Sequence, residues 1–126
     1  MEHTDTGEID VLWDENGNAR YRILKSGRMV DFEGHSVGWL DEEGNIFDYT
    51  AGRQVAFYEN GILRDVDGGV VGLGQEPSGA KPVLHEKGLI PNAIDPEPEP
   101  KRPKPKKAGK KPEPSLLWSK KIFEEL

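Results

Sequence analysis

A chain of 126 residues with ten prolines, fifteen glycines and an apolar fraction of 34% has room for one domain, but is poor material for a globule that uses every residue. The absence of cysteine excludes disulfides and thiolate metal sites, and nothing in the sequence approaches the ~20 apolar residues of a membrane span. Residues 1–90 carry 17 acidic and 8 basic side chains and residues 91–126 carry 6 and 9, so an acidic body precedes a basic tail.

Residues 1–8 form an acidic arm without the apolar run of a secretory signal, and the expected compartment is the cytoplasm. From Ile9 to Gly74 the chain repeats. Asp14, Asp31, Asp48 and Asp65 are each 17 residues apart, and Leu12, Met29, Ile46 and Leu63 precede them by two. Gly27, Gly44 and Gly61 keep the same interval, as do Gly17, Gly34 and Gly68, with Gly52 one position late. Each unit holds two short apolar runs rich in valine and aromatics, separated by glycine beside Asn, Asp or Glu. That pattern favours strands joined by tight hairpins over helix. The prediction for residues 9–74 is an all-β domain of about eight short antiparallel strands, two per repeat.

Within the second strands, period two puts Val37 with Trp39, Val55 with Phe57 and Val71 with Leu73 on one face. Gly38, Ala56 and Gly72 lie between them. They either let backbones approach around a central axis or relieve crowding opposite an aromatic. The first repeat departs from this, with Arg20, Tyr21 and Arg22, and is expected at a seam or an exposed edge.

Residues 75–90 keep some apolar side chains and are read as a segment covering the open end of the sheet. Eight prolines between positions 91 and 114 forbid helix and central strand. That linker is expected as extended polyproline II, a solvated spacer reaching on the order of 70 Å. Apolar residues return in 115–126, where Trp118, Ile122 and Leu126 are four apart with Phe123 adjoining, as on one face of a short helix capped by Ser119. These four apolar residues are the expected binding residues of an anchor peptide.

Together the runs Val30-Asp31-Phe32…Val37-Gly38-Trp39, Phe47-Asp48-Tyr49…Val55-Ala56-Phe57 and Tyr58-Glu59-Asn60-Gly61…Asp65…Gly68…Gly72 resemble the bacterial four-fold β-flower family. The ending Leu117-Trp118-Ser119…Phe123-Glu124-Glu125-Leu126 resembles that family's terminal motif. The resemblance implies four β units about a pseudo-four-fold axis and implies no activity.

Residue chemistry offers no catalytic, cofactor or metal signature. Four converging aspartates would suit a hard cation, yet each stands just before a turn whose N–H groups its carboxylate can accept, and the turn role is preferred. His3, His35 and His85 lack ligand spacing and any nucleophile partner, and a pairing of His35 with Asp31 is read as a surface contact. Lys101, Arg102, Lys104, Lys106 and Lys107 can meet phosphates non-specifically but lack interleaved aromatics for stacking. The expected function is a non-enzymatic binding or assembly module with a protein partner or self-association. The alternative is polyanion or nucleic-acid binding through the tail.

Overall fold

The computed structural model of the chain describes residues 7–126. Most of the arm at 1–8, including His3, lies outside the described residues. Eight strands follow in order: β1 (Glu8–Trp13), β2 (Ala19–Leu24), β3 (Arg28–Asp31), β4 (Ser36–Leu40), β5 (Asn45–Phe47), β6 (Gln54–Glu59), β7 (Ile62–Arg64) and β8 (Val70–Leu73). Every strand pairs antiparallel with its neighbours in sequence, and β8 returns to β1 through Trp13↔Leu73, closing a barrel of four hairpins. β2 is therefore paired on both sides, with β1 and with β3, and is neither the seam nor an edge as its charges suggested. Its arginines are spent on local ion pairs, Arg22 with Glu8 at 2.9 Å and Arg20 with Asp14 at 3.3 Å.

One bulge recurs in each repeat. Register shifts follow Leu12, Met29, Ile46 and Leu63, leaving Arg20, Val37, Val55 and Val71 as the extra residues on the opposite strands. A bulge sharpens local twist and re-aims the side chain it carries, and four of them help a short sheet close. They also break the alternation expected from sequence. Val37, Val55 and Val71 pack with the barrel interior, whereas Trp39 packs outside with Phe47 and Tyr49 and Leu73 joins an outer cluster with Ile62 and Val70.

The interior is built in layers. Leu12, Met29, Ile46 and Leu63, all at most 1% exposed, fill the middle, each opposite Tyr21, Gly38, Ala56 or Gly72. The small column thus faces inward across from the large one. A Cβ on Gly72 would lie 3.4 Å from that of Leu12 and 3.7 Å from that of Leu63, so the repeats approach closely there. Tyr21 is the first repeat's counterpart of these small residues, and its ring fills space that three glycine or alanine positions leave. Ile23, Leu40 and Tyr58 pack below. Tyr58 reaches across to Asp10, donating its hydroxyl hydrogen at 2.5 Å. The buried Asp10 carboxylate also accepts the N–H groups of Val11 and Gln75.

Candidate functional site

The four aspartates of the 17-residue column, Asp14, Asp31, Asp48 and Asp65, all lie at one end of the barrel, the mouth. Each carboxylate is turned into its own loop. Oδ1 of Asp14 accepts the N–H groups of Asn16 and Asn18, that of Asp31 those of Glu33 and His35, and that of Asp65 those of Asp67 and Gly69. In the third turn Asp48 Oδ1 accepts from Ala51 and Arg53, one residue farther on. The displaced Gly52 reflects this longer loop. Asp41, outside the 17-residue column, makes the same pair of bonds with Glu43 and Asn45. Asp31, Glu33 and His35 bring ligand-type atoms within 4.8 Å of one another at the surface, but Asp31 spends one oxygen on the turn and the other on His35 Nδ1, 3.2 Å away.

What these turns present outward is a glycine carbonyl. Gly17, Gly34, Gly52 and Gly68 hold φ of 80°, 89°, 71° and 95°, a region that L-residues with a Cβ avoid. Their carbonyls accept N–H groups from Gly88, Glu97, Lys106 and Ser115 at 2.7, 2.9, 2.9 and 3.2 Å. Successive donors are nine residues apart. Two residues before each donor, the carbonyls of Glu86, Asp95, Lys104 and Glu113 press on the same glycines, where an added Cβ would collide with them. The tail is therefore a belt with a nine-residue period laid over a barrel with a 17-residue period. Side chains tie it further. Trp13 Nε1 donates to Gly88 O, Arg28 to Glu97 O, Arg64 to Ser115 O, and Tyr49 to Glu99. The stretch expected as a solvated spacer lies against the body instead, because proline leaves the backbone extended and N–H groups nine residues apart fall in register with the turns.

The last twelve residues close the belt and enter the mouth. Between β8 and β1 one residue pair forms, and beyond it residues 117–119 add to Val70 as a parallel bridge: Val70 N–H to Leu117 O at 3.0 Å, Ser119 N–H to Val70 O at 2.7 Å. Ser119 Oγ donates to Asp65 Oδ2 at 2.5 Å. Half-buried Trp118 packs on Ile62, Val70 and Leu73. Phe123, 9% exposed, seats in the core cluster with its ring 5.2 Å from that of Tyr21, beside Val37, Val55 and Val71. Leu126 packs against the same cluster, and Ile122 is 53% exposed. Of the four anchor residues, Trp118, Phe123 and Leu126 therefore meet the barrel, and Ile122 faces out. The expected helical face is not formed. Only a 3₁₀ turn, Phe123–Glu125, appears, and Ser119 caps no helix, because extended pairing with β8 holds residues 117–119.

Arg20 holds Glu124 at 3.1 Å and Arg53 donates to Leu126 O at 3.1 Å, so the two arginines clamp the plug from different repeats. Open space remains around it, including a cleft of about 270 Å³ between Val37, Asp48, Val55 and the plug. The tail cations divide. Arg102 turns inward to Glu99, Ser26 O and the ring of Trp39, whereas Lys101, Lys104, Lys106 and Lys107 are exposed.

Sequence reasoning missed Asp10, the bulge valines and the belt period. The last was legible in Pro96, Pro105 and Pro114, nine apart, and in Pro103 and Pro112. Among the described residues no helix is long and apolar enough to cross a membrane. Residues 10–126 match the family described as 4-fold beta flower protein. No curated protein and no solved structure matches the chain.

Proposed function

The chain belongs to the 4-fold beta flower family, and from that premise we propose that it is a non-enzymatic binding or assembly module, a rigid barrel that docks a proline-punctuated peptide ending in an aromatic plug. Here the docked peptide is the chain's own tail. The observation that carries the reading is the nine-residue register in which four turn glycines receive the tail backbone. It is a repeated main-chain recognition that ignores side-chain identity, as strand-addition modes do. Tethering holds the peptide at an effective concentration in the millimolar range, so the plug stays seated even though each latch is weak. A partner protein, or a second copy of the chain, enters this scheme by offering an equivalent peptide or by accepting the displaced tail.

Truncation after Gly109 tests the proposal. The shortened chain is expected to melt at lower temperature and to recover when a synthetic peptide covering residues 110–126 is added. The same peptide carrying Phe123→Ala is expected to restore far less. An unchanged melting temperature on truncation, or recovery independent of Phe123, overturns it. A second reading, polyanion binding, is favoured by the exposed Lys101, Lys104, Lys106 and Lys107. It requires affinity for a polyphosphate that falls steeply with salt.

A further inference from the structure

Each turn aspartate at the mouth spends Oδ1 on its own backbone and keeps Oδ2 for one further partner. In three repeats that partner is a basic side chain of the same repeat: Arg20 for Asp14, His35 for Asp31 and Arg53 for Asp48, at 3.3, 3.2 and 3.7 Å. The fourth repeat breaks the pattern. Asp65 makes no ion pair among the described residues. Its Oδ2 accepts the hydroxyl hydrogen of Ser119 at 2.5 Å instead. Asp65 is also buried, where the other three are half-buried.

The seat for that hydroxyl is made by a missing side chain. The residues that give their N–H to Oδ1 at the far end of each turn are Asn18, His35, Arg53 and Gly69. Where two repeats carry a basic side chain, the fourth has glycine. Gly69 is outside the left-handed region, so its backbone does not require glycine. A Cβ there would stand 3.0 Å from Ser119 Cα and 3.1 Å from both Ser119 Cβ and Asp65 Oδ2. Ser119 is oriented as well as admitted. Its Oγ accepts the Lys121 N–H at 3.1 Å, which leaves the hydroxyl hydrogen for Asp65. A buried carboxylate without a cation is costly unless donors satisfy it, and a second carboxylate beside it would add repulsion. We propose that Asp65 and Gly69 are the specificity residues of the mouth. They admit a docked segment that offers a small hydroxyl donor directly after its tryptophan, as in Trp118-Ser119, and reject one with an acidic residue there. The inference rests on the reading of the mouth as a peptide-docking surface and names the peptide chemistry it takes.

Hydrogen exchange in the full chain reads the seat directly, since Leu117 O holds the Val70 N–H and Val70 O holds the N–H of residue 119. Ser119→Ala should speed exchange at both by about tenfold, because a buried acceptor loses its donor. Ser119→Asp should speed it by about a hundredfold, as two carboxylates then share the notch. Asp65→Asn keeps the turn bonds and removes the charge. Combined with Ser119→Asp, it should therefore recover about tenfold of the lost protection. Gly69→Ala should release the same two N–H groups while those pairing β2 with β3 stay protected, which tells an unseated serine from a loosened fold. Exchange indifferent to Ser119→Ala or to Gly69→Ala, or no recovery in the double variant, would overturn the assignment. If truncation after Gly109 still lowers the melting temperature in that event, the docking reading stands and selection by Asp65 alone falls.

Discussion

At the scale of single residues, the turn aspartates show how one carboxylate can fix a loop and tune a neighbour. Asp31 offers one oxygen to two backbone N–H groups and the other to His35 Nδ1. The hydrogen bond and the charge of Asp31 raise the pKa of His35, an exposed side chain. A raised folded-state pKa means that the contact favours folding fully below the ordinary histidine value of about 6.5 and ceases to do so as pH climbs through the folded-state value. An NMR titration should place the His35 midpoint above the ordinary histidine value. Asp31→Asn should bring it down while keeping the turn, since asparagine still accepts the two N–H bonds. A His35 midpoint unmoved by Asp31→Asn would show that the contact does not form in solution. The turn glycines answer to a different constraint. Gly34 needs both its positive φ and its missing Cβ, because the Asp95 carbonyl sits where a side chain would go.

At the scale of elements, strands and turns were legible in the sequence because valine runs and glycine punctuation are local signals. The bulges were not. A bulge is a relation between two strands, and nothing along β4 alone marks Val37 as the residue left without a partner. Assigning Val37 and Trp39 to one face was the natural error of a period-two reading. Tyr21 was hidden for a related reason. Flanked by Arg20 and Arg22 it looked like part of a charged edge, and only the closed barrel shows its ring inside. The belt escaped because prolines were read for what they forbid, not for their spacing. Its register makes a sharp prediction. One alanine inserted after Lys107 leaves the latches at Gly17, Gly34 and Gly52 intact and shifts Ser115 off Gly68. Phe123 should then seat poorly, at a cost of about 2–3 kcal/mol, less than for emptying a close-packed phenylalanine site because clefts already flank the plug. Chemical denaturation measures this, and unchanged stability would mean that the nine-residue register is dispensable.

At the scale of the whole molecule, the barrel is small for an independent domain, and its stability is shared with what wraps and fills it. Two tyrosines join distant parts. Tyr58 bonds Asp10 across the base, and Tyr49 bonds Glu99 of the belt. Burial first, and then the hydrogen-bonded carboxylate, raise both phenol pKa values above the ordinary 10. The folded state therefore holds these protons more tightly than the unfolded chain. The contribution of these two tyrosines to stability should be level up to about pH 10 and decline above it, as the unfolded chain ionises first. Tyr58→Phe should flatten part of that alkaline decline, and a decline of the same steepness in the variant would remove Tyr58 from the account.

The spacing of the latches also sets how the molecule responds to mechanical load. A force pulling the C-terminus away from the barrel meets the plug first, then one glycine carbonyl at a time in the order Gly68, Gly52, Gly34, Gly17. Each rupture frees nine residues, about 30 Å of extended chain, before the next latch bears the load. The belt thus peels as a ratchet of nearly equal steps, while the barrel's hairpins stay paired until the belt has been drawn off.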